Sequence, residues 1–197
     1  MRLLAELLRD LVERLEAAGP PIALVGGLAV SVRTEPRFTR DVDLVVAVRD
    51  DGHAEQIVRA LSPPYEVVTA LEHEVLERLA AVRLGDPGAS TAAAVVDLLF
   101  ASSGIEPEVA AAATPMEVFA DVRVPVARTG HLLALKLLAR DERRPQDDVD
   151  LRALREIAGP EELDLATQAV ELIIDRGAHR GRDLRREWRT LLAGTES

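Results

Sequence analysis

Two aspartates open an apolar run: Thr39-Arg40-Asp41-Val42-Asp43 leads directly into Leu44-Val45-Val46-Ala47-Val48. The β-branched run predicts a strand, and residues two apart on a strand share one side. Asp41 and Asp43 therefore aim both carboxylates at one spot. Like charges held that close call for a cation between them, and oxygen-only ligands suit Mg2+ or Mn2+. The pair reads as half of a metal site. An isolated Asp-x-Asp is also ordinary turn chemistry, so the remaining half has to be sought elsewhere in the chain.

Upstream, Gly26-Gly27 follows the short apolar run Ile22-Ala23-Leu24-Val25 and precedes a helical pattern. A helix starting there presents free backbone N–H groups and the positive end of its dipole, a natural phosphate seat. A plain tight turn explains the glycines equally well. Downstream, Asp97 interrupts the apolar run Ala94-Val95-Val96-Asp97-Leu98-Leu99-Phe100. A carboxylate there needs a partner: a metal shared with Asp41 and Asp43, an arginine, or a backbone end to cap. Lys136 is the single lysine among 24 basic residues, and it sits in the apolar helix pattern Leu132-Leu133-Ala134-Leu135-Lys136-Leu137-Leu138. Its compact charge suits a phosphate. The competing readings are a side chain that snorkels to solvent or one paired with a helix carboxylate. Arg143-Arg144-Pro145-Gln146-Asp147-Asp148-Val149-Asp150 follows, where Asp147 fits either an N-cap or a group that orients Lys136, with Asp150 one turn on.

In this order the motifs resemble those of the DNA-polymerase-β-like nucleotidyltransferase superfamily. The closer resemblance is to its toxin-type branch, the AbiEii and MenT-like enzymes of type IV toxin–antitoxin systems. In that branch a Thr or Ser stands two residues before the first aspartate, as Thr39 does, and a segment like Arg-Pro-x-Asp-x-x-Asp follows the lysine helix, here Arg144, Pro145, Asp147 and Asp150. Many superfamily members carry serine where this chain has Gly27, so a hydroxyl contact to phosphate is missing. The resemblance covers roughly residues 20–155. It implies Asp41, Asp43 and Asp97 as ligands of two Mg2+ (or Mn2+) ions, with Gly26, Gly27, Thr39, Lys136, Asp147 and Asp150 around a nucleoside triphosphate. It also implies a tRNA 3′ end as acceptor and a separate antitoxin. Thr39, beside the metal pair, is then a place where a charge-adding modification would block the site. Two other classes remain open: an aminoglycoside-type small-molecule nucleotidyltransferase, and a non-catalytic antitoxin or binding module with the same fold.

The elements that must position these groups follow from periodicity. Leu3, Leu4, Leu7, Leu8, Leu11 and Leu15 predict a helix over 2–18, ended by Gly19-Pro20-Pro21. Strands are expected at 22–25, from Asp41 to Val48 and over 65–69, with helices at 26–32 and 53–61. Signals around 71–80 are mixed. A hairpin is expected between 81–84 and 91–100 across Gly85-Asp86-Pro87-Gly88. Residues 117–127 read as extended, with Val122, Val124 and Val126 alternating. From Thr129 the pattern is helical: 129–142, 147–157, 161–176 and 181–193. The fold class is α/β (α+β): a mixed sheet flanked by helices over 1–128, then a helical C-terminal part over 129–197 packed on it.

Composition sets the outer limits. Hydrophobic residues make up 48% of the 197 and aromatics 3%, so an ordinary core is expected, built from aliphatic side chains. No apolar run approaches the roughly 20 residues that cross a bilayer, and Met1-Arg2-Leu3-Leu4-Ala5-Glu6 reads as the start of an amphipathic helix, so a cytoplasmic protein is expected. Without cysteine, disulfides and thiolate metal sites are excluded. His53, His73, His131 and His179 lack ligand spacing for zinc. A net charge of −10 is a poor footprint for nonspecific nucleic-acid binding. Locally, Arg176, Arg180, Arg182, Arg185, Arg186 and Arg189 face only Asp183 and Glu187, either a solvated helix face or an RNA-backbone contact. Arg33, Arg37 and Arg40 flank the Asp-x-Asp strand, as surface residues or as contacts for triphosphate or acceptor.

Overall fold

The computed structural model describes residues 2–73, 75, 77–85, 95–141 and 143–194. Helix α1 (Arg2–Ala18) buries Leu8, Leu11, Val12 and Leu15, the stripe its helical spacing dictates. It leads into β1 (Ile22–Val25), whose four residues are all buried. Helix α2 (Gly26–Arg33) follows without a connecting loop, then β2 (Asp41–Val46) and α3 (Asp51–Leu61). Asp50 caps α3, its carboxylate accepting the His53 N–H at 2.8 Å. Strands β3 (Glu66–His73), β4 (Arg78–Gly85) and β5 (Val95–Leu99) come next, then α4 (Glu106–Ala111), β6 (Thr114–Phe119) and β7 (Val122–Val126). Helices α5 (Thr129–Ala139), α6 (Pro145–Ile157), α7 (Pro160–Asp175) and α8 (Leu184–Ala193) complete the chain.

The strands form one mixed sheet in the order β3-β4-β5-β2-β1-β7-β6. Strand β2 is antiparallel to β1 and parallel to β5, while β1 is parallel to β7. Alternation in β2 buries Val42, Leu44, Val45 and Val46 and leaves Asp41 and Asp43 towards a cleft. A single apolar cluster runs from Leu8 in α1 to Trp188 in α8 and takes in β1, β2, β5, β7 and helices α5 to α8. Among the described residues, no helix is long and apolar enough to cross a membrane.

Several boundaries differ from those expected. The ambiguous stretch after Thr69 continues β3 to His73. The extended segment over 117–127 is two strands, β6 and β7, reversing at Ala120-Asp121 with Asp121 at φ +62°. Strands β4 and β5 pair antiparallel as a hairpin would, while the turn expected between them lies mostly outside the described residues. Helix α5 ends at Ala139, and α8 begins after Asp183, whose carboxylate accepts the Arg186 N–H at 3.1 Å.

Candidate active site

A cleft of about 1100 Å3 opens at the ends of β1, β2 and β5 and is closed on the other side by α5. Register places the acidic groups along its floor. Asp43 pairs with Asp97 across the parallel β2–β5 ladder, and Asp41 pairs with Val95 two residues away. Burial first, then the charges of Asp97 and Asp41, push the Asp43 carboxyl up to about 6. The three carboxylates therefore feel one another. On its other side β5 pairs with β4, and there Arg83 stands opposite Asp97. Its guanidinium forks onto both oxygens, Nε to Oδ1 at 2.8 Å and Nη2 to Oδ2 at 2.7 Å. Of the partners open to Asp97 from sequence, the arginine is the one in contact.

Whether this set fits a metal can be judged from its chemistry. Three hard oxygen ligands on adjacent strands, with charge in excess, are what a small divalent ion requires. As the side chains lie, however, no three carboxylate or imidazole groups among the described residues are gathered tightly enough to hold one. The Arg83 guanidinium instead occupies both oxygens of Asp97.

At the end of β1 the chain turns directly into α2, with Gly26 at φ +64°. A side chain there would place its Cβ 1.8 Å from Asp43 Oδ2, so glycine is needed for the turn to sit against the acidic pair. No side chain caps α2 at Val25, and the first N–H groups of a helix have no partner within it. At Gly27 a Cβ would lie 2.7 Å from Arg37 Nη2 and 3.3 Å from Thr39 Oγ1. The space a serine would need is thus taken by Arg37 and Thr39, both of which line the cleft. A side chain at Gly27 would therefore require the Arg37 guanidinium to shift.

Lys136 projects from α5 into the same cleft and is mostly buried, with Nζ 2.8 Å from Asp150 Oδ2 and 3.2 Å from Asp147 Oδ1. Asp147 lies inside α6, two residues after its first residue Pro145, and Asp147 Oδ2 accepts the Asp141 N–H at 3.4 Å. It pairs with the lysine and does not cap its own helix. Asp150, only 1% exposed, also accepts from Gln146 at 2.9 Å and from Arg37 at 3.0 and 2.8 Å. Burial alone would raise the Asp150 carboxyl; the hydrogen bonds from Lys136, Gln146 and Arg37 outweigh it and hold it below the usual carboxylate value.

Other singled-out residues lie elsewhere. Arg33 ties α2 to β7 through the carbonyls of Ala127 and Val126 and the Thr114 hydroxyl. Arg40 stacks over the exposed Phe38 ring at 5.3 Å. Half of the arginine cluster is paired with acids: Arg176, Arg182 and Arg185 meet Glu108, Glu187 and Glu171. Arg182 also donates to the carbonyls of Leu137 and Leu138, holding the end of α5. Of the six, Arg180 reaches the cleft, donating to the Ser102 carbonyl at 2.9 Å. Arg83 was not singled out by spacing; the signal available was an arginine inside the apolar run Ala80–Leu84. A second cavity, about 660 Å3 between α6 and α8, shares none of the residues expected at the site.

Residues 9–194 match the family described as nucleotidyl transferase AbiEii toxin, type IV TA system. No curated protein matches the chain. Among solved structures, the chain is similar to an antigenic nucleotidyltransferase-like protein from Paracoccidioides brasiliensis, with a TM-score of 0.56 and 18% identity over 96% of this chain and 93% of that one. It is similar also to ANT(2'')-Ia in complex with adenylyl-2''-tobramycin, with a TM-score of 0.52 and 17% identity over 91% of this chain and 98% of that one. At such identities the likeness is one of fold. The family match spans nearly the whole sequence, and the chain belongs to the AbiEii nucleotidyltransferase toxins of type IV toxin–antitoxin systems.

Proposed function

We propose that the enzyme transfers a nucleoside monophosphate from a nucleoside triphosphate to a hydroxyl at a tRNA 3′ end, as a toxin restrained by a cognate antitoxin. Asp41, Asp43 and Asp97 hold two divalent ions, Mg2+ or Mn2+, in this reading. One observation carries it: the acidic trio, the Gly26-Gly27 turn, Thr39 and Lys136 all line a single cleft. When bound, the ions supply Lewis-acid stabilisation of the attacking and leaving oxygens. The acceptor oxygen bonds to the α-phosphorus, the bond to the β-phosphate oxygen breaks, and pyrophosphate leaves as the hydroxyl proton passes to a carboxylate of the cleft. The N–H groups at the start of α2, which have no partner within the helix, donate to phosphate oxygens. Lys136, fixed by Asp147 and Asp150, neutralises charge that develops on them. Division at residue 128 is functional: the sheet part carries the acidic groups, and the helical part delivers the lysine and its carboxylates. Arg180, which lines the cleft, is the residue of the 176–189 segment that would contact the acceptor in this reading.

Pure protein incubated with Mg2+, each α-labelled nucleoside triphosphate in turn and total tRNA tests this, beside an Asp41→Ala/Asp43→Ala control. Label on tRNA that disappears in the control is the expected result, and absence of label on tRNA overturns the tRNA reading. An aminoglycoside arm belongs in the same assay, because a cleft rich in carboxylates on a chain of net charge −10 also favours a small cationic acceptor. A phosphate on Thr39 would set a dianion beside Asp41 and Asp43 and exclude the triphosphate. Mass analysis of the protein co-expressed with its neighbouring gene checks this, and an unmodified Thr39 there counts against it.

A further inference from the structure

We infer that Arg83 is a latch on the metal site: in the ligand-free enzyme its guanidinium occupies both oxygens of Asp97, and it yields them when a divalent ion and a triphosphate enter together. The inference rests on the reading of Asp41, Asp43 and Asp97 as metal ligands. Its basis is positional. Arg83 and Asp97 are cross-strand partners on β4 and β5, so the fork forms without any loop having to move. Both Asp97 oxygens are engaged, at 2.8 and 2.7 Å. An ion brought against either one would first have to displace a guanidinium N–H already bonded to that oxygen. With Asp97 held in this way, neither of its oxygens is free for an ion.

The latch is also built to open. The Arg83 side chain is 50% exposed, whereas that of Asp97 is 19% exposed, so the guanidinium can swing while the carboxylate stays. Arg83 lines the same cleft as Gly26, Gly27 and Lys136. A triphosphate seated there offers the displaced guanidinium a new anionic partner. Ion and nucleotide thus help each other bind, and the coupling is reciprocal. Arg37 makes a similar fork on Asp150, but there the carboxylate is buried and shared with Lys136 and Gln146, so that fork has nothing to release.

The test is Mn2+ binding by the full chain, followed by the electron paramagnetic resonance signal of free Mn2+, with and without a non-hydrolysable α,β-methylene triphosphate. The proteins are wild type, Arg83→Gln, Arg83→Lys and Asp97→Asn, each first shown to unfold cooperatively. Without nucleotide, Arg83→Gln should bind Mn2+ on the order of tenfold more tightly than wild type. Lysine keeps the charge but cannot fork, so Arg83→Lys should recover most of that gain. In both variants the extra affinity conferred by nucleotide should shrink. The latch is overturned if Arg83→Gln binds no more tightly than wild type, or if Arg83→Lys matches wild type, which would reduce the residue to a through-space charge. If wild type binds Mn2+, Asp97→Asn does not, and Arg83→Gln changes nothing, the metal site survives and the latch falls. If none of the proteins binds Mn2+ with or without nucleotide, both fall.

Discussion

Two groups of charges face each other across the cleft, and they are balanced differently. On the helical side, Lys136 and Arg37 meet Asp147 and Asp150, two cations for two carboxylates, with every contact between 2.8 and 3.2 Å. On the sheet side, Asp41, Asp43 and Asp97 have Arg83 bonded to Asp97 and only the more distant charge of Lys136 acting on Asp43. The first group satisfies itself and holds α5, α6 and the segment before β2 together. The second retains an excess of negative charge, which folding alone does not explain and a divalent cation would cancel. Within one cleft, the balanced group reads as a support that fixes Lys136 in place, and the uncompensated charge as ligand site.

Breaking each side should give opposite outcomes. Asp41→Ala/Asp43→Ala removes mutually repelling groups, so nucleotide transfer should fall on the order of a thousandfold or more while the melting temperature holds or rises. Labelled transfer and thermal unfolding on the same preparation check this, and a large loss of stability would make the acidic side scaffold as well. Asp150→Ala leaves Lys136 and Arg37 facing a buried gap. Urea unfolding should show a loss of about 3–5 kcal/mol, the usual cost of orphaning a buried ion-pair partner. Lys136→Met should cost less stability than Asp150→Ala, since Arg37 still faces Asp150, yet it should abolish most transfer.

How much of this could be read from the chain depends on sequence distance. Asp41 and Asp43 share a face through strand periodicity alone, and Lys136 lies one helix before Asp147, so both groupings were legible. The Arg83–Asp97 fork depends on strand register across a connection, which no local pattern specifies. Arg37 and Asp150 are 113 positions apart, and the arginines at 176 and 185 find their acids at Glu108 and Glu171 only through tertiary packing. The acid partners of three arginines in the 176–189 run are therefore not visible from the run itself. Helix α4 is too short to show a period. The β6–β7 reversal was hidden because its turn uses Asp121 in a left-handed conformation, without glycine or proline.

The seam between the two groups is Gly27, whose missing side chain makes room for the Arg37 guanidinium. Gly27→Ser supplies the hydroxyl common in the superfamily and should still destabilise, by about 1–3 kcal/mol, as overpacked sites do. Removing the obstacle should recover part of that loss. In a double-mutant cycle with Arg37→Ala, the two substitutions should couple by about 1 kcal/mol. Additivity would mean that Arg37 is not what excludes a side chain there.

The contrast also fixes the sign of two pH effects in the metal-free protein. Asp43 is raised to about 6 by burial and by Asp97 and Asp41. The cost of ionising it is absent below its ordinary value of about 4 and complete above about 6, so this group removes stability as pH rises through that window. Asp150 is held below its usual value, against the effect of burial, by Lys136, Gln146 and Arg37. Its contribution is complete above about 4 and disappears as pH falls through the depressed value. Melting temperature against pH in EDTA should therefore decline between about 4 and 6 in wild type, and Asp43→Asn should remove that decline while leaving the acid limb. Asp150→Asn should weaken the acid limb instead. Saturating Mg2+ should flatten the decline in wild type, because an ion compensates the ionised carboxylates. If Asp43→Asn retraces the wild-type profile, charge crowding on the sheet side is not what the stability reports.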